Sequence, residues 1–327
     1  MKKLLISFFV VMLLIVSCSK QNSDNTKSGT YSEKSDENKV LKIGILQLVE
    51  HSALDQANKG FVDALAESGY VDGQNIDIDY QNAQGDQANC VTIAQKFVND
   101  KVDLILAIAT PAAQAVVNLA KDIPVLITAV TDPADSKLVA DNNFPGANVT
   151  GTSDLTPVAE QMELLRKLIP SAQKVAFLYS SSEANSKFQI DIAKNKADEM
   201  GLLYVDATIT NPNDIQQVVQ SLVGKVDVIY VPTDNMVSAG MANVIAISSP
   251  AKIPVICGEA AMLDAGGLAT YGIDYYELGK LTAGQAVKIL NGQASPANMP
   301  IEYIKNPVLS INTNAAKELG VLIPSGL

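Results

Sequence analysis

The chain repeats itself at half-length, and that repeat constrains its fold more than any other feature. KDIPVLITAVTDP (121–133) is echoed by AKIPVICGEAAM (251–262), each an Ile-Pro-Val entry into an apolar run. Upstream of the first copy lies VDLILAIATPAAQAV (102–116), and upstream of the second lies VDVIYVPTDNMVSAG (226–240). A looser third pair, LKIGILQLVEHSALDQ (41–56) and KVAFLYSSSEANSKFQ (174–189), puts a short apolar run before a polar loop and a helical pattern. Segments recurring in one order predict two related domains.

Strand-length apolar runs fall at 41–46, 76–80, 103–109, 124–130, 147–151, 174–179, 202–208, 226–231, 253–257 and 267–271, with helical patterns such as DQANCVTIAQKFVND and NDIQQVVQSLVG between most of them. This alternation predicts an α/β chain of two doubly wound parallel sheets with helices on both faces. Such sheets bind ligands outside the carboxyl ends of their strands. Six loops leave those ends, three from each half: 47–55, Thr110-Pro111, Thr131-Asp132-Pro133, 180–185, 232–235 and Gly258-Glu259. Two halves that face one another bring all six to one cleft, so the duplication supplies two jaws. Crossings between the jaws are expected at 152–154, at 271–274 and near Tyr303. The expected domains are therefore 41–152 with 273–303, and 153–272 with 304–327.

The first seventeen residues, MKKLLISFFVVMLLIVS, join a Lys2-Lys3 start to an apolar stretch too short to span comfortably and lead to Cys18. Ile15-Val16-Ser17-Cys18 reads as a lipobox, which makes 1–17 a signal peptide and Cys18 the lipidated N-terminus. Residues 18–40, rich in Ser, Asn, Lys and Asp, read as a disordered tether. Loss of Lys2 and Lys3 with the leader takes the formal charge from −11 to −13, which disfavours a nucleic-acid partner. Cys90 and Cys257 fall in different halves and are expected to be free and buried.

One histidine, no His/Cys cluster and no Gly-x-Ser-x-Gly, P-loop or dinucleotide fingerprint are present, so no metal site, no cofactor and no enzyme activity are expected. Binding chemistry remains. Thr110-Pro111 has the form of an N-cap followed by proline at the first helical position, which would aim helix N–H groups at a ligand carboxylate. Thr131-Asp132-Pro133 has the same form, and both motifs are equally ordinary capping chemistry. Ser153 and Asp154 lie on the first crossing. YSSSEANS offers the hydroxyls of Ser181 and Ser182, an acid at Glu183 and the amide of Asn185, and VPTDN adds Asp234 and Asn235. His51 could lie against a flat ligand. Asp154, Asp234 and Glu259 are available for an ammonium, and the chain has no tryptophan to serve as a sugar platform.

EHSALDQANKGFVDAL, IATPAAQAV, TAVTDP, NVTGTSD, YSSSEANSK, VPTDN and GGLATYGIDYYELG together resemble the substrate-binding lipoproteins of ABC importers, in the branch that binds tryptophan and other aromatic amino acids. Ser52 stands where members of this branch often carry proline. The resemblance implies a type I periplasmic-binding fold hinged by three crossings. It also implies a monomer, extracytoplasmic and lipid-anchored to the cell membrane through Cys18, on its outer face or periplasmic side, which closes on a ligand such as L-tryptophan or L-phenylalanine and presents it to an ABC permease. A nucleoside or modified-sugar ligand, or a sensing receptor without a permease, is the alternative.

Overall fold

A computed structural model describes residues Lys39–Leu327; the expected signal peptide, Cys18 and nearly all of the tether lie outside them. The first sheet is built from β1 (Leu41–Gln47), β2 (Ile76–Asn82), β3 (Leu104–Ile108), β4 (Val125–Val130) and β5 (Val149–Ser153), with α1 (Ser52–Glu67), α2 (Gln87–Asp100) and α3 (Thr110–Leu119) between them. After α4 (Val158–Leu168) the pattern begins again with β6 (Lys174–Ser180), α5 (Ala184–Glu199), β7 (Leu203–Ile209), α6 (Ile215–Leu222) and β8 (Val228–Val231). It continues through α7 (Asn235–Ala239), α8 (Met241–Ser248), β9 (Val255–Cys257), α9 (Ala261–Asp264) and β10 (Ala269–Gly272). The chain ends with α10 (Tyr275–Leu290), β11 (Glu302–Tyr303), β12 (Val308–Ile311) and α11 (Thr313–Leu319).

Strand order is β11-β5-β4-β3-β1-β2 in one sheet and β12-β10-β9-β8-β6-β7 in the other. The two orders are the same motif, β6 to β10 repeating β1 to β5, which accounts for the doubled sequence. Every pairing is parallel except β10 with β12. Parallel strands are covered on both faces and so read as unbroken apolar runs. All five residues of β3 and all six of β4 are buried. The chain changes sheet between β5 and β6, between β10 and β11, and between β11 and β12. All ten apolar runs became strands. The two-residue β11 has no apolar period of its own and was invisible in the sequence.

α10 packs along α1, and glycines set how closely. A Cβ on Gly60 would stand 2.0 Å from the Tyr276 carbonyl oxygen, and one on Gly279 2.0 Å from that of Ala57. This contact binds the start of α1, where His51 is the N-cap, to the start of α10, where Tyr275 is the first residue. Cys90 and Cys257 are free and buried.

Candidate functional site

In each sheet the strand order reverses between neighbours whose connections run to opposite sides, β1/β3 in one and β6/β8 in the other. Loops beyond such a point leave a crevice. His51, Leu54, Asp154, Thr233, Asp234, Asn235, Ser238, Glu259 and Tyr275 enclose a cavity of about 10 Å³ between the facing loops of the two sheets. Ordinary small-molecule sites run to roughly 300–1,000 Å³, so in this arrangement the facing loops stand nearly in contact.

The loops meet through hydrogen bonds. His51 Nε2 lies 3.3 Å from Asn235 Oδ1, Thr131 Oγ1 lies 3.3 Å from Thr233 Oγ1, and Gln189 Nε2 donates to Thr131 Oγ1 at 3.2 Å. Gln47 steadies the first loop by donating to Val49 O and Asp55 Oδ1. At the strand ends lie buried side-chain atoms with no partner among the described residues: Gln47 Oε1, His51 Nδ1, Thr110 Oγ1 and Asn185 Oδ1. A buried polar atom without a partner is costly, and of these four residues His51 lines the cavity.

The cavity wall is acidic and contains no lysine or arginine. Asp154 accepts from Thr131 Oγ1 at 3.1 Å and from Tyr275 OH at 2.7 Å. Burial nevertheless pushes its carboxyl up to about 6. Glu259 accepts from Ser238 Oγ at 2.8 Å and Ala261 N at 2.6 Å; burial, helped by the charge of Asp154, raises it to about 7. Both groups would be relieved by a cation between them.

A second acid pair joins Asp234 of the wall to Glu183 behind it. Glu183 accepts from Asn185 Nδ2 (3.1 Å), Asn235 Nδ2 (2.5 Å) and the N–H groups of Asn235 and Met236. Burial first, then the neighbouring Asp234, raises it to about 8. Asp234 is raised as well, by burial. The His51 imidazole is driven down to about 4 by burial, against the upward pull of Asn235 and Asp55, and is neutral at physiological pH.

Of the residues singled out in the sequence, His51, Asp154, Asp234, Asn235 and Glu259 line the cavity, and Thr131 touches it through Asp154. Asn185 is tied to Glu183 and Thr233 O. Ser153 donates to Thr131 O and accepts from Leu155 N, holding the crossing rather than the cavity. Five of the residues depart from their expected roles. Thr110 is not an N-cap: Ala109 takes that position at φ 82°, so Thr110 is the first helical residue and its hydroxyl is buried. Asp132 caps the following turn through Ala134 N and Asp135 N and accepts from Asn142, all on Oδ1, and it does not line the cavity. Ser181 donates to Ile209 O at the neighbouring strand, and Ser182 is exposed and paired with Ser180. Asp234 spends both oxygens on the protein, accepting from Val237 N, Ser180 N and Ser186 Oγ.

Gln189, Thr233, Ser238 and Tyr275 were missed. Gln189 lies one helical turn beyond Asn185, and Ser238 one turn beyond Asp234, a spacing that puts each pair on one face. Tyr275 follows the Asp274 cap of α10, and nothing local marks it.

A family model described as ABC transporter substrate binding protein matches residues 42–327. A Clostridioides difficile protein named tyrosine-binding protein is 42% identical over 316 residues, which span 97% of this chain and 91% of that one. A Streptococcus pneumoniae protein solved with L-Trp is 40% identical, with a TM-score of 0.84 over 88% of this chain and 96% of that one. The ligand-free, open structure of a Clostridium difficile substrate-binding protein with adhesive properties is 48% identical, yet its TM-score is 0.66 over 88% of this chain and 97% of that one.

Proposed function

We propose that this chain, which belongs to the ABC transporter substrate-binding protein family, captures an aromatic amino acid between its two lobes for delivery to a permease. Proteins of this family work outside the cytoplasm. The lipobox at Cys18 adds an anchor to the membrane surface, with residues 18–40 as tether; the lobes are 41–152 with 273–303 and 153–272 with 304–327. A single observation carries the ligand class: Asp154 and Glu259 share a small cavity wall that has no basic side chain. A zwitterion's ammonium fits between them, and an uncharged sugar leaves them facing each other. Thr233, Ser238 and Asn235 complete the polar wall around them. Relatives named for tyrosine and solved with L-Trp support an aromatic side chain.

Calorimetry and thermal shift with L-tyrosine, L-tryptophan, L-phenylalanine and a panel of pentoses and hexoses test this reading. At a ligand concentration of about 100 times the dissociation constant, mass action contributes about 2.7 kcal/mol of stability. Asp154→Asn and Glu259→Gln each keep shape and remove charge, and each should weaken binding by about 1.5–3 kcal/mol, the range for hydrogen bonds to charged groups. A response to sugars alone, or unchanged affinity in both variants, sinks the assignment.

A further inference from the structure

We infer that Met236 is an apolar clasp between the lobes, and that its thioether is an oxidation site which closure shields and whose oxidation weakens ligand capture. The inference rests on the two-lobe binding reading and concerns how capture is regulated. Met236 belongs to α7 of the second lobe, yet its side chain ends against the first. A Cβ built on Gly85 would stand 3.3 Å from Met236 Sδ and 3.4 Å from its Cε, with Val49 Cγ2 at 3.8 Å. Gly85 turns at φ 75° and donates its N–H to Leu48 O at 2.8 Å. Its missing side chain leaves the slot that the thioether fills. Glu183 accepts from the N–H groups of Asn235 and Met236, and from that turn Asn235 reaches His51 while Met236 reaches Val49 and Gly85.

A thioether suits that slot and a sulfoxide does not. Val49 presents carbon, and the Gly85 N–H is already given to Leu48 O. Hydrogen peroxide bonds one oxygen to Sδ through a sulfur lone pair, the O–O bond breaks, and the other oxygen leaves as water. The polar S=O that results finds no free donor in Val49 or Gly85, so lobes that carry it part more readily. Access to the sulfur depends on the same contact. Met236 is 5% exposed while the lobes meet, and parting them draws the sulfur out of the slot. A relative of 48% identity has been solved open. Oxidation therefore falls on protein that holds no ligand.

Hydrogen peroxide treatment followed by peptide mass spectrometry reads the sulfoxide at each methionine. In ligand-free protein Met236 should oxidise faster than Met162 and Met241, which are buried within the second lobe. L-Tyrosine at about 100 times its dissociation constant should slow Met236 by about 10- to 100-fold, since only the unliganded fraction opens. Calorimetry on the treated protein should show affinity for L-tyrosine lowered about 5- to 150-fold, the cost of burying a polar group without a partner. Met236→Leu keeps an apolar side chain and cannot form a sulfoxide. It should bind L-tyrosine no more than about tenfold more weakly than wild type, and should hold that affinity after peroxide. Met236→Gln, checked for folding by urea unfolding, should bind like the oxidised protein. Met236 oxidised equally fast with L-tyrosine bound, or peroxide costing Met236→Leu as much affinity as wild type, overturns the inference alone. If L-tyrosine, L-tryptophan and L-phenylalanine all fail to bind, the aromatic reading falls and the ligand-free rates still decide: Met236 as unreactive as Met162 and Met241 overturns the clasp.

Discussion

Both oxygens of Asp234 are engaged by the protein, one by Val237 N and the other by Ser180 N and Ser186 Oγ. Asparagine caps a helix about as well as aspartate, but here its amide would turn an N–H toward another N–H or a hydroxyl proton. Leaving a buried donor unmet costs about 1–3 kcal/mol. Asp234→Asn should therefore lower the unfolding free energy by about that amount in urea titration, while affinity for L-tyrosine changes less than in Asp154→Asn. Lost affinity at unchanged stability would return Asp234 to the ligand. At this scale the sequence showed which acids reach the cleft and not what they do there, because the deciding partners are tertiary: Ser186 lies 48 residues from Asp234. Thr110 misled for a different reason. Its Thr-Pro pair has the form of a cap, yet the chain leaves β3 with Ala109 at φ 82° and ψ 152°. That region costs an L-residue about 1–3 kcal/mol, and alanine gives no sign that it will adopt it.

Elements were more legible than residues because period and punctuation are local. The apolar runs and intervening helical patterns placed β1 to β10, and the repeated Ile-Pro-Val entries matched β4 and β9. What periodicity could not show is which helix meets which. α10 follows β10 of the second sheet, yet it lies against α1, made possible by Gly60 and Gly279. Two glycines in the same helix should then respond oppositely to one methyl group. Gly279→Ala drives a Cβ to 2.0 Å from the Ala57 carbonyl and must part the helices, at a cost of about 1–3 kcal/mol for overpacking. Ligand affinity should drop with it, since His51 and Tyr275 sit at the starts of the two helices. Gly284→Ala meets no atom within 4 Å and should gain about 0.5–1 kcal/mol from better helix propensity. Urea unfolding of both variants checks the pair; a shared sign would show that the α1/α10 contact does not limit this helix.

Across the whole molecule, closing the cleft is a problem of like charges. Asp154 leaves the first sheet and Glu259 the second, so closure brings two acids into one desolvated cavity. Against that, the loops gain His51–Asn235, Thr131–Thr233 and Thr131–Gln189, neutral bonds of about 0.5–1.5 kcal/mol each. The arrangement agrees better with the L-Trp-bound relative than with the more similar open one. Both acids have folded-state values raised above those of the unfolded chain, to about 6 and about 7. Their contribution to the closed form is therefore complete below about pH 4 and is lost as pH rises through those two values. An ammonium between them reverses the sign, because it favours the ionised forms. Ligand capture at a pH between the two values must then expel protons, and capture above both must not. Titration calorimetry with L-tyrosine in buffers of different ionisation heat reads the number directly. About one proton should leave near pH 6.5, falling toward zero near pH 8, where both carboxyls are already ionised. Asp154→Asn should leave only the Glu259 share, and Glu259→Gln only that of Asp154. Binding that releases no proton anywhere between pH 6 and 7 would mean that the ammonium is not held by these acids.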